Sequence, residues 1–94
     1  MHYVYIIFSE SLKRFYIGET IDLSKRLVEH NEGIYARSFT KKAQDWELFL
    51  TVTCENKTQA IQIEKHIKRM KSVIYVKNLK LYPEIAEKLK EKYK

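Results

Sequence analysis

Ninety-four residues with 45% hydrophobic side chains, and eighteen Lys and Arg against twelve Asp and Glu for a net charge of +6, leave room for one small domain with a real core. That composition excludes a disordered chain, and a single cysteine, Cys54, excludes an internal disulfide or a cysteine-rich metal finger. The longest apolar run, around Val4 to Phe8, falls far short of the roughly 20 residues that span a bilayer. No secretory leader pattern opens the chain, so a reduced, soluble, cytoplasmic protein is expected. The positive balance favours an acidic partner, nucleic acid foremost.

Residues 3 to 8 (YVYIIF) and 15 to 19 (FYIGE) are rich in β-branched and aromatic types and flank the polar stretch SESLKR. They read as two strands joined by a hairpin loop. Alternation puts Tyr3, Tyr5 and Ile7 on one face of the first strand, and Tyr16 and Gly18 on one face of the second. Two tyrosines can therefore meet close to the first glycine of the chain. From Thr20 the period changes. In TIDLSKRLVEHNEG, Thr20 or Asp22 supplies an N-cap, Leu23, Leu27 and Val28 form an apolar stripe, and Gly33 is the stop. Asp22, Arg26 and His30 fall at i, i+4 and i+8 and line a second face of that helix.

IYARSFTKKAQD has no sustained period and reads as a loop carrying Arg37, Lys41 and Lys42. WELFLTVTC, residues 46 to 54, is a third strand. NKTQAIQIEKHIKRMK, residues 56 to 71, is a strongly periodic helix capped by Asn56 or Thr58. Ala60, Ile63, Ile67 and Met70 make its inward stripe, with Glu64 at the stripe's edge. SVIYVKN could be extended or continue the helix and is expected to be a short irregular link, and Pro83 to open a last helix containing Ile85, Ala86, Leu89 and Tyr93. The expectation is one α+β domain over residues 1–94, ordered strand-strand-helix-strand-helix-helix.

The ordered set YVY, YIG, an Arg and a His four apart on the next helix, and a Glu on a later helix resembles the GIY-YIG nuclease family. Tyr3-Val4-Tyr5 stands where the family has Gly-Ile-Tyr, and Tyr16-Ile17-Gly18 matches the second motif in full. Arg26 and His30 follow ten and fourteen residues after Tyr16, and Glu64 lies in AIQIEKHIKRMK. Length and order most resemble small free-standing bacterial members related to the nuclease half of the excision-repair incision subunit. The resemblance implies a small three-stranded antiparallel sheet flanked by helices. Two features depart from repair-type members: Tyr3 replaces the first Gly, and Glu19 stands where they carry Lys, which removes one candidate phosphate contact. For the family's Asn near the end of the active-site region, Asn78 is the nearest candidate.

Phosphodiester hydrolysis needs an activated in-line water, positive charge on the phosphoryl oxygens and stabilisation of the leaving oxygen. The resemblance implies that Glu64 holds one divalent cation, Mg²⁺ or Mn²⁺, which one carboxylate plus water and substrate can satisfy. Arg26 offers a planar, permanently charged fork to the phosphate, and His30 is of a type that titrates near neutrality and can accept a proton. A phenol loses its proton near pH 10, and neighbouring positive charge favours the phenolate. The general base is assigned to Tyr5, with Tyr16 orienting water or phosphate and able to exchange roles with it. Arg37, Lys41, Lys42, Lys65, Lys68, Arg69 and Lys71, with Asn78, are candidates for flanking phosphate contacts, which would be sequence-independent and salt-sensitive.

Each residue also has an ordinary reading: Glu64 in an i,i+4 pair with Lys68, Arg26 paired to Asp22, His30 as a helix-end partner, the tyrosines in cross-strand packing. The preferred reading is a metal-dependent endonuclease on DNA, with RNA left open, structure-selective or weakly specific, in repair or processing. A non-catalytic nucleic-acid-binding module is the alternative. A protein-interaction domain would leave the five residues Tyr5, Tyr16, Arg26, His30 and Glu64 unexplained.

Overall fold

The computed structural model describes residues 1–33 and 42–94. In chain order the elements are β1 (His2–Ser9), β2 (Arg14–Thr20), α1 (Leu23–Asn31), β3 (Trp46–Cys54), α2 (Lys57–Met70), α3 (Val73–Leu81) and α4 (Pro83–Lys92). The strands form an antiparallel sheet of order β2-β1-β3, an α+β fold of the kind the resemblance implies. β1 is thus hydrogen-bonded on both sides, which fixes its register twice over. On the β2 side Tyr5 lies opposite Gly18 and Ile7 opposite Tyr16.

The pleat sends alternate residues to opposite faces. One face carries Val4, Ile6, Val52 and Cys54, buried against Ala60, Ile63 and Ile67 of α2, Val76 and Leu79 of α3 and Leu89 of α4. The other carries Tyr5, Ile7 and Trp46, packed with Leu23 and Leu27 of α1. β3 serves both faces through a bulge: Ile6 pairs with Leu50 and Ile7 with Leu48, leaving Phe49 without a partner on β1. The extra residue resets the alternation, so Trp46 reaches the α1 face while Leu50, Val52 and Cys54 face α2.

Local chemistry sets the helix ends. Asp22 caps α1 by accepting the Lys25 N–H at 3.0 Å, and Asn56 caps α2 by accepting that of Gln59 at 2.9 Å, each worth about 1 kcal/mol. Gly33 follows α1 at φ 70, as the sequence predicts. Lys71 ends α2 in the left-handed conformation at φ 48, and Lys13 in the β1–β2 turn has φ 55.

Three expectations are corrected. SVIYVKN is not an irregular link but most of α3: Ser72 accepts the Tyr75 N–H at 3.0 Å, and Val76 and Leu79, three apart, are buried in the core. Burial outweighs the weak helix propensity of its Val, Ile and Tyr residues. Val28 and Met70 do not belong to the inward stripes, being 53% and 45% exposed. Val28 lies about 100° around the helix from Leu27, and Met70 is the final residue of α2.

Candidate active site

The candidate residues gather where β1 and β2 lie beneath α1. Tyr5 points from the central strand over Gly18, and its phenol fills the space a side chain at 18 would need. A Cβ built there would sit 2.4 Å from the Tyr5 hydroxyl oxygen and 2.5 Å from its Cζ. The glycine of the second motif is therefore dictated by the tyrosine of the first. Tyr16, diagonal to Tyr5 across the ladder, has its ring centroid 6.5 Å from that of Tyr5, within aromatic pairing range.

His30, in the last turn of α1, completes the cluster. Its Nε2 lies 2.8 Å from the Tyr5 hydroxyl, and its ring centroid is 5.0 Å from that of Tyr16. Burial, aided by the Arg26 guanidinium and opposed by Glu29, lowers the His30 pKa from 6.5 to about 4. The imidazole is thus neutral at physiological pH, rather than a cation titrating near neutrality or serving the helix dipole. A neutral ring can accept the Tyr5 O–H at Nε2, which puts its own proton on Nδ1. Arg26, half-buried one turn earlier, lies 3.5 Å from Glu29 through Nε, so its ordinary partner is Glu29 rather than Asp22.

α2 brings the carboxylate. Glu64 is half-buried and accepts a hydrogen bond from Lys68 Nζ at 2.7 Å, and the same ammonium stands 5.8 Å from the centre of the Tyr16 ring. Glu64, Lys68, Tyr16, His30 and Tyr5 consequently form one unbroken chain of contacts. Among the described residues no group of three His, Cys, Asp or Glu could hold a metal. A single carboxylate suits a mostly hydrated Mg²⁺-type ion completed by substrate oxygens, and does not suit a structural zinc centre.

The expected phosphate contacts divide. Lys68 adjoins the cluster. Lys71 is exposed at the end of α2, whereas Arg69 turns toward α4 and donates to the Tyr93 hydroxyl at 3.4 Å. Lys65 and Lys42 are exposed. Asn78 sits half-buried on α3, where its carbonyl accepts the Tyr82 N–H at 2.8 Å. Arg37 and Lys41 lie outside the described residues. Glu19 faces the opposite side of the sheet from Tyr16 and pairs with His2.

Sequence reasoning missed Asn31. Its side chain donates to the Trp46 carbonyl at 3.0 Å and accepts the Trp46 N–H at 2.8 Å. This two-bond clamp ties the end of α1 to the start of β3 and holds the neighbouring His30 over Tyr5. The available signal was an amide side chain directly after the candidate histidine, at a helix end where backbone groups lack partners.

Comparison with known proteins agrees with this geometry. Residues 1–76 match the GIY-YIG catalytic domain. The chain is similar to a protein of Syntrophus aciditrophicus (strain SB) called "UPF0213 protein", at 32% identity over 83 residues, covering 88% of this chain and 94% of that one. No solved structure matches the chain.

Proposed function

Since the chain belongs to the GIY-YIG family, a family of nucleases that generally depend on a divalent metal, we propose that it is itself a single-domain, Mg²⁺- or Mn²⁺-dependent endonuclease that hydrolyses DNA in repair or processing. The observation that carries the reading is the contact between the buried Tyr5–His30 pair and Tyr16, with Lys68 and Glu64 on its open side. Mere packing of a small sheet would not require a neutral buried histidine held by a phenol.

In this reading Glu64 would hold the single ion, which would supply Lewis-acid stabilisation of the leaving oxygen. Tyr5 is 2% exposed, too enclosed to meet water, so the role of proton acceptor toward the attacking water falls to the half-buried Tyr16. Tyr5 becomes the group that seats His30 and, through it, the Tyr16 ring. Arg26 and Lys68 supply positive charge for the phosphate. Among the described residues no helix resembles a base-reading one, which supports structure-selective or weakly specific cutting.

The alternative, a binding module without catalysis, draws on the Glu64–Lys68 pair, since an ion-paired carboxylate at i,i+4 is an ordinary helix feature. One experiment separates them. Supercoiled plasmid and flap or branched oligonucleotides are incubated with Mg²⁺ or chelator, using wild type, Glu64→Ala and Arg26→Ala. The nuclease reading expects metal-dependent cutting that falls at least a hundredfold in either variant, with DNA binding kept by Glu64→Ala. Intact substrate in every wild-type reaction would leave the binder.

A further inference from the structure

Around the edge of β2 from the phenol cluster lies a cavity of about 760 Å³ between the β1–β2 turn, the C-terminal end of α2 and the start of α3. Phe8, Phe15 and Phe49 line it, with Phe15 centred 4.7 Å from Phe8 and 4.9 Å from Phe49. Lys13, Arg14, Lys68, Lys71 and Lys77 also line it, and among the described residues no acidic side chain does. Glu10 and Glu64 pair with Lys13 and Lys68. Among the described residues no carboxylate pairs with Arg14, Lys71 or Lys77.

We infer that this cavity is a binding site for an unpaired nucleotide, whose base packs against the inclined Phe15 and Phe49 rings while its flanking phosphates meet the surrounding cations. An apolar floor of mutually inclined rings, Phe15 meeting Phe49 at 73° and Phe8 at 47°, beside Arg14, Lys71 and Lys77, complements a ligand that is aromatic at its centre and anionic at its ends. Single-stranded nucleic acid has that chemistry, and its bases stack on aromatic side chains without regard to sequence. The volume lies within the roughly 300–1,000 Å³ usual for pockets that enclose small organic ligands.

Two backbone positions strengthen the assignment. Lys13 and Lys71, at φ 55 and 48, hold a conformation that glycine adopts at least cost, and both line this cavity. Charge is kept there at a conformational expense. Tyr16 and Lys68 also line it, so a base seated here leaves its neighbouring phosphate beside the candidate active site. The inference rests on the nuclease reading for its purpose but not for its binding chemistry.

The test uses the full chain in chelator with short single-stranded DNA and RNA carrying 2-aminopurine, a base whose fluorescence is quenched on stacking, and the same DNA as duplex. The expected result is quenching in a single strand, single-strand affinity at least tenfold above duplex, and a loss of about tenfold in Phe15→Leu or Phe49→Leu. Lys71→Glu, an exposed change that spares the core, should weaken binding several-fold and flatten its salt dependence. Quenching in chelator, with no cutting of any of these substrates once Mg²⁺ is supplied, would support the site while removing the nuclease reading. Cutting with Mg²⁺ but no quenching in chelator, or equal affinity for duplex alongside such cutting, would overturn the site and leave that reading standing. Self-association abolished by Val73→Lys, in the absence of quenching, would overturn it in favour of a second copy of the chain.

Discussion

The sheet face under α2, α3 and α4 is buried almost wholly with aliphatic side chains, whereas the face under α1 shares its burial among a phenol, an imidazole and the hydroxyls of Ser9 and Thr20. Both bury side chains away from water, but they hold them differently. Aliphatic contacts are non-directional and roughly proportional to area. Buried polar groups must each find a partner, and among the described residues every buried side-chain polar atom has one. The strand pleat lets one 94-residue chain keep a tolerant aliphatic face and an exacting polar face, one residue apart.

The comparison breaks most visibly at Ile63, fully buried on the aliphatic face. Ile63→Ala should cost about 2–5 kcal/mol in denaturant unfolding, with cutting per folded molecule retained. If activity falls further than stability, the faces are not separable.

Acid tests the polar face. With the His30 pKa lowered to about 4 from 6.5, the unfolded chain binds the extra proton between those values, so its contribution is complete above pH 6.5. That contribution is lost as pH falls toward 4, by roughly 3 kcal/mol in total. His30→Gln should flatten this part of the stability–pH curve, measured by denaturant midpoints. An unchanged curve would mean that the imidazole is not buried neutral.

The smallest stability effect expected is that of Gly18→Ala, about 1–3 kcal/mol from overpacking. Its new methyl must displace the Tyr5 phenol, so cutting should drop more than thermal stability does. Full activity in that variant would show that the phenol's position is immaterial.

Much of this was legible beforehand. Tyr5 and Tyr16 could be placed together because period-2 alternation and a short hairpin suffice to do it. α1, α2 and α4 announce themselves through Asp22, Asn56 and Pro83 and through spaced Leu and Ile. α3 did not, because Val73, Ile74, Tyr75 and Val76 look like a strand until their packing partners are known. The Asn31 clamp on Trp46 and the burial that neutralises His30 were also hidden, since each depends on residues distant in sequence meeting in space.

The bulge in β3 has a consequence of its own. Nine residues there do the pairing of eight in β1, and Phe49 is the one the ladder can spare. Excising Phe49 would restore an unbroken zipper with Trp46, Leu48 and Leu50 still on their present sides, whereas excising Leu48 or Leu50 would restore it only by seating the Phe49 ring in the vacated place. The aromatic ring it contributes packs beside the core without taking a place in the ladder, so its size and shape can vary while the strand pairing stays as it is.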